Sequence, residues 1–285
     1  VYKRQVLFRR LYHFMNAYST DMNSYSKSAS EGLEMRKNTL KPMLRAGEPI
    51  INAWLSIPSG YLAEGAGHQG FHSITVDLQH GLIGFETAVS MLQAISATPA
   101  IPLVRAPSRD QEAIMHLLDA GAYGVVCPMI SNVAEAEDFV AACRYPPQGA
   151  RSFGPARGKL YGGPDYFDAA NDEIMAIPMI ETAEALQNID DILAVPGVDM
   201  IYVGPNDLAL DLGEKPGAEL QDSATSKAIT HILERAKAAK VPAGIFCSDG
   251  DLSKRRLAEG FNLVTPGNDF NTLMAAMQRE IGKCQ

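Results

Sequence analysis

The sequence predicts a (β/α)8 barrel, and three observations carry that prediction. Eight short apolar runs punctuate the chain, and helical patterns lie between them. The runs are near-continuous rather than alternating, as expected of strands covered on both faces. At 285 residues and 46% hydrophobic, the chain can also bury one barrel-sized core. Alternating strands and helices imply a parallel sheet. A doubly wound open sheet is the alternative, because strand order is invisible in sequence. Eight strands in a chain of this length favour the closed form.

The predicted strands are Ile50–Ser56, Ser73–Leu78, Ile101–Arg105, Gly124–Pro128, Ile174–Glu181, Met200–Gly204, Ala243–Cys247 and Asn262–Thr265. Between them, Phe85, Ala88, Leu92 and Ile95 share one helical face, as do Ile229, Ile232, Leu233 and Ala236. Thr182 is placed to cap the helix after Glu181, and Asn132 with Glu135 resembles a capping box. Gly121 and Gly260 stand where helices should stop. The longest stretch without a clear period, Tyr145–Asn171, reads as a loop with a functional or oligomer-contact role. Residues 1–34 begin basic and turn Ser-, Tyr- and Asn-rich, with no amphipathic period and no apolar core of a targeting peptide. They are expected to be a disordered tail or a translated upstream stretch, with Met35 as a plausible start and residues 35–285 forming one domain.

Composition narrows the function. A net charge of −8 argues against a nucleic-acid surface. No apolar stretch approaches bilayer length, so no membrane partner is expected. Cys127, Cys143, Cys247 and Cys284 show no paired spacing, which points to free thiols in a reducing cytoplasm.

Chemistry should gather at the C-terminal strand ends of a barrel. There the sequence places Asp77, Gln79 and His80, then Arg105, Glu181, Asn206 and Asp207, and finally Ser248 and Asp249. Any one of these could serve as a cap or ion pair, but five strands agreeing on one end is hard to reach by accident. Glu181 closes IMAIPMIET and Asp207 follows IYVGP, so two strands aim carboxylates at one place. Such a pair suits Mg²⁺ or Mn²⁺ and leaves positions for substrate. His80 lies three residues from Asp77, where an imidazole can move protons. Asp119 ends a helix in HLLDAG, against the helix dipole, which suggests a partner such as His80, or simple exposure. GAGHQG (65–70) fits a dinucleotide pattern but lacks a preceding strand, and reads as a turn. The histidines at 13, 68, 72, 116 and 231 show no ligand spacing. Lysine is missing from every predicted strand end, which disfavours Schiff-base catalysis.

Taken together, DLQHG (77–81), LVR (103–105), LLDAGAYGVVCPM (117–129), RYPPQGARSFG (144–154), IETAEAL (180–186) and VGPNDLALDLG (203–213) resemble the HpcH/HpaI family of pyruvate-dependent class II aldolases. The resemblance runs over about residues 40–280. It implies a (β/α)8 barrel of the phosphoenolpyruvate/pyruvate superfamily, with its last helix exchanged between neighbours in a homo-oligomer, a trimer or hexamer. It implies reversible retro-aldol cleavage of a 4-hydroxy-2-oxo acid to pyruvate and an aldehyde. Glu181 and Asp207 match the metal ligands for Mg²⁺, Mn²⁺ or Co²⁺, which would stabilise a pyruvate enolate. Arg105 matches the arginine at the keto oxygen, while His80 and Asp119 match the proton-transfer pair. Gly204, Pro205 and Asn206 would shape the pyruvate pocket. Two departures stand out. Met179 replaces a glutamine of some members and loses an amide donor; Asp77-Leu78-Gln79-His80 replaces D-G-E-H and loses a charge. The alternatives on the same fold are a lyase of coenzyme-A thioesters, resembling citrate lyase β chains, and a non-catalytic assembly protein. No basic cluster suited to the long cofactor stands out.

Overall fold

The computed structural model describes residues 35–285, so the expectation for the tail at 1–34 lies outside the described residues. Eight parallel strands close into a barrel in sequence order. They are β1 (Ile50–Leu55), β2 (Ser73–Asp77), β3 (Ile101–Arg105), β4 (Gly124–Cys127), β5 (Met175–Ile180), β6 (Ile201–Val203), β7 (Ala243–Cys247) and β8 (Leu263–Pro266). β8 pairs with β1 through Ile50–Leu263 and Ile51–Val264, which excludes the open sheet. Each strand stops within two residues of the sequence prediction. The differences fall where the ladder ends and the chain swings outward, so Ser56, Leu78, Pro128, Glu181 and Gly204 belong to connections.

Inward-facing residues recur with period two along each strand and stack the interior in layers. One layer is polar. Ser73 Oγ and Thr75 Oγ1 donate to Asn52 Oδ1, Asn52 Nδ2 donates to Thr265 Oγ1, and the Tyr202 hydroxyl donates to the same threonine at 2.7 Å. No buried side-chain oxygen or nitrogen of this layer lacks a hydrogen-bond partner, so its burial costs little. Trp54, two residues beyond Asn52, stacks on Tyr202 at 5.5 Å and meets Phe246 edge-on. Asp77 and Arg105 follow at the strand ends and are paired partners across the β2–β3 ladder.

The helices obey the local signals. The Thr182 hydroxyl accepts from Ala185 N, and Asn132 Oδ1 accepts from Glu135 N. The Glu135 carboxylate reaches back to Ser131 N rather than to Asn132, so the expected box closes one residue early. Gly121 and Gly260 hold φ of 101° and 109°, the left-handed turn that ends each helix.

Two expectations differ. The stretch Tyr145–Asn171 is not a plain loop, because it carries helices Ala156–Gly162 and Tyr166–Glu173. Their cause is tertiary: a Cβ at Gly162 would stand 2.5 Å from the Tyr166 ring, so glycine lets the two helices close on each other. Seven or eight residues are too few to show a helical period in sequence. The glycine-rich 65–70 segment is helical through Gly67, within Gly60–Gly67, and only then turns.

Among the described residues all four cysteines are free, and no helix is long and apolar enough to cross a membrane. The final helix, Asp269–Cys284, has no buried residue. Its N-terminus is tied to the end of β1 by the Asp269 carboxylate, which accepts from Ser56 N, Ser56 Oγ and Ile57 N.

Candidate active site

A cavity of about 720 Å³ opens over the C-terminal ends of the strands. Arg105, His80, Gly204, Pro205, Asn206 and Asp207 all line it, so six of the eight site residues expected from sequence share one space. Its floor is a buried ion pair. Arg105 Nε donates to Asp77 Oδ1 at 2.8 Å and Nη2 donates to Oδ2 at 2.6 Å. Trp54 Nε1 donates to Asp77 Oδ2 at 3.1 Å, and the guanidinium lies over the Trp54 ring, 4.9 Å from its centroid. Gln79 N and His80 N complete the set on Asp77 Oδ1. Burial acts to raise the Asp77 pKa, but the Arg105 hydrogen bonds and charge prevail and hold it below the ordinary carboxylate range. Arg105 is thereby fixed in place with its remaining nitrogen and one face uncommitted. His80 stands at the rim, with an exposed side chain.

Glu181 sits behind Gly204. Its Oε1 accepts from Met129 N at 2.8 Å, while Oε2 is buried without a partner. Met129 holds φ of 58°, an uncommon conformation for its residue type that turns the N–H onto the carboxylate. A Cβ at position 204 would stand 2.3 Å from Glu181 Oε2, so only glycine leaves room for this buried oxygen directly behind the cavity wall. Burial, with the nearby Asp207 charge adding to it, pushes the Glu181 carboxyl up to about 7. A bare buried oxygen beside a second carboxylate is the arrangement a hard divalent cation relieves, and the donor types fit Mg²⁺ or Mn²⁺. Among the described residues no group of three or more His, Cys, Asp or Glu is placed to hold a metal.

Asp119 does not join this cavity within one chain. Its Oδ1 accepts from Arg151 Nη2 at 2.7 Å, and no hydrogen bond links it to His80. Arg151 is itself fully buried, lying 4.4 Å over the Tyr145 ring and bonded to the Tyr166 hydroxyl. Burial raises the Asp119 pKa more than Arg151 lowers it. Met179, the first departure noted above, is buried on the cavity wall against Gly204. Gln79, the second, is not part of the cavity lining, and its amide oxygen is buried and unpartnered.

Sequence reasoning missed three contributors. Trp54 carried a signal: it is the only tryptophan in the sequence, one residue short of the end of β1 and on the inward face. Asp77 was noticed at a strand end, but its ladder pairing with Arg105 needs the register. Met129 gave no signal, because its contribution is a backbone N–H.

Comparison with known proteins agrees with this geometry. The family model for HpcH/HpaI aldolase/citrate lyase matches residues 51–276. The chain is 41% identical over 244 residues to the hydroxypyruvate/pyruvate aldolase of Rhizorhabdus wittichii, covering 86% of this chain and 97% of that one. It is 38% identical to the 4-hydroxy-2-oxo-heptane-1,7-dioate aldolase of Salmonella arizonae, covering 84% and 91%. The structure of an HpcH/HpaI aldolase/citrate lyase family protein from Burkholderia cenocepacia superposes with a TM-score of 0.82 at 31% identity, covering 87% of this chain and 99% of that one. With a family model matching residues 51–276 and relatives and fold covering nearly the whole barrel, the chain belongs to the HpcH/HpaI aldolase/citrate lyase family.

Proposed function

We propose that the protein is a divalent-metal-dependent aldolase that reversibly cleaves 4-hydroxy-2-oxo acids to pyruvate and an aldehyde. The observation carrying this reading is the Glu181 carboxylate, with one oxygen tied to Met129 and the other bare behind Gly204. Relatives named as aldolases for pyruvate and a 4-hydroxy-2-oxo acid support the substrate class. Glu181 and Asp207 would hold the cation, Mg²⁺ or Mn²⁺, which when bound supplies a Lewis acid to the carboxylate and keto oxygens of the 2-oxo acid.

The chain's own groups do the rest. Gly204, Pro205 and Asn206 form the wall presented to the 2-oxo acid, and the glycine leaves the room behind it that Glu181 Oε2 occupies. Arg105, locked by Asp77, faces the C2 oxygen and stabilises the negative charge that develops there. It needs no reorganisation at the moment of reaction, because Asp77 and Trp54 already fix its plane. His80 takes the proton from the C4 hydroxyl. The C3–C4 bond breaks, its electron pair moves toward the C2 oxygen, the aldehyde leaves, and C3 then gains a proton. Asp119 would assist His80 only from outside this cavity, since within one chain it is bound to Arg151.

The test is exchange of pyruvate methyl protons with deuterated water. Exchange that needs Mn²⁺ or Mg²⁺ and stops with chelator is expected; no exchange with any divalent cation would sink the reading.

A further inference from the structure

His80 has a part in the proposed chemistry, yet its side chain is exposed and backbone contacts hold its segment in place. It lies three residues past the end of β2. Its N donates to Asp77 Oδ1 at 3.2 Å, beside Gln79 N at 3.0 Å. These two bonds curl the chain and bring the next residue, Gly81, back over the strand end. A Cβ on Gly81 would stand 2.2 Å from the Asp77 carbonyl oxygen, 3.1 Å from Ser56 Cα and 3.2 Å from Ile83 Cδ1. Two of these three neighbours are main chain and cannot rotate aside. Gly81 is not among the glycines of left-handed φ, so space alone demands it here. The turn 77–81 is therefore seated directly on the ends of β1 and β2.

Both supports are stiff. Leu78 N donates to Arg105 O and continues the β2–β3 ladder, while the Asp77 carboxylate is bound by Arg105 and Trp54. Ser56 N and Oγ both donate to Asp269 Oδ1. A side chain at position 81 would thus displace the turn rather than the strands, and the turn carries His80. All of these contacts are made within one chain.

Resting on the aldolase reading, we propose that Gly81 is the positioning residue for His80. Its missing side chain lets the turn close onto Asp77 and Ser56, and the closed turn sets the imidazole where it takes the proton from the C4 hydroxyl. Gly81 touches no substrate and acts only through His80. Arg105 is fixed from the strand side and keeps its place whether or not the turn closes.

Gly81→Ala is compared with the parent in two reactions with Mn²⁺: cleavage of 4-hydroxy-2-oxopentanoate, and exchange of pyruvate methyl protons with deuterated water. His80 is assigned a part in the first alone. Cleavage kcat should fall by about tenfold to a hundredfold, while exchange stays within about twofold and Mn²⁺ affinity and the circular dichroism spectrum match the parent. Gly84→Ala is the control, because a Cβ there meets only Glu86 Oε2, at 3.8 Å; it should leave both reactions unchanged. In a His80→Ala background, Gly81→Ala should cost the residual cleavage nothing further. A Gly81→Ala protein that cleaves like the parent overturns the inference, as does one whose exchange falls as far as its cleavage. Full additivity with His80→Ala overturns it too, since Gly81 would then act on something else. In each of these cases the parent's exchange leaves the aldolase reading standing; a parent without exchange loses both.

Discussion

Arg105 and Asp77 face one another across the β2–β3 ladder, and each is buried only because the other is there. Replacing the arginine therefore has two effects. Arg105→Ala removes the group proposed at the C2 oxygen and leaves Asp77 as a buried unpaired charge. Turnover should fall by about 10²-fold or more, and stability by about 3–5 kcal/mol. Arg105→Ala combined with Asp77→Asn should recover much of the stability and none of the turnover, which thermal melts and assays of both variants would check. Glu181 gives a second prediction at this scale. With its folded carboxyl near 7 against an ordinary 4.5, the metal-free protein keeps this proton while the unfolded chain loses it. Its contribution is neutral below about pH 4.5, turns unfavourable as pH rises to 7, and stays so above. In chelator, Glu181→Gln should raise stability at pH 8, by on the order of 2–3 kcal/mol, and leave it nearly unchanged at pH 4. A variant equally stabilised at both pH values would contradict the burial of that oxygen.

At the scale of elements, the site depends on where β6 ends. Gly204 follows Val203 directly and leads into the helix Pro205–Asp211, so the same turn carries the open wall and Asp207. Gly204→Ala would place a Cβ 2.3 Å from Glu181 Oε2 and 2.8 Å from the Met179 methyl. The flexible Met179 can move; the carboxylate, pinned through Met129 N, has less room. Mn²⁺ affinity, read by calorimetric titration, should drop at least about tenfold, with a circular dichroism spectrum like that of the parent. Unchanged affinity would show that Glu181 Oε2 is not the ligand atom. The Glu135 carboxylate, which accepts from Ser131 N and pairs with Arg109, ties another strand-to-helix connection that does not line the cavity.

For the molecule as a whole, the last helix is the unfinished part. None of its residues is buried, and Met277 at 50% and Ile281 at 58% exposure continue the apolar line of Phe270 and Leu273. Exposed apolar stripes of this kind mark association surfaces, which accords with the homo-oligomer implied by family resemblance. The same line reaches the cavity, where Phe270, Leu273 and Met274 form part of the lining. Met277→Asp with Ile281→Asp should shift sedimentation toward a smaller species. A parent already monomeric at micromolar concentration would refute the oligomer.

Much of this protein was legible before any coordinates. Eight apolar runs with capped helices between them, in a chain of this length, favour the barrel over an open sheet, because strands covered on both faces must be apolar and only a few arrangements cover them. Strand-end positions are enough to bring Arg105, His80 and Asp207 to one cavity, with Glu181 buried behind its wall, since side-chain direction follows from strand period. Tertiary structure decided the rest. The β2–β3 register sets Asp77 opposite Arg105, closure of β8 on β1 makes a shared interior, and a backbone N–H at Met129 leaves one Glu181 oxygen bare. It also tied Asp119 to Arg151 rather than to His80 within one chain. These are contacts between segments far apart in sequence. Local propensity carries no record of them, because their energies arise only once the barrel has closed.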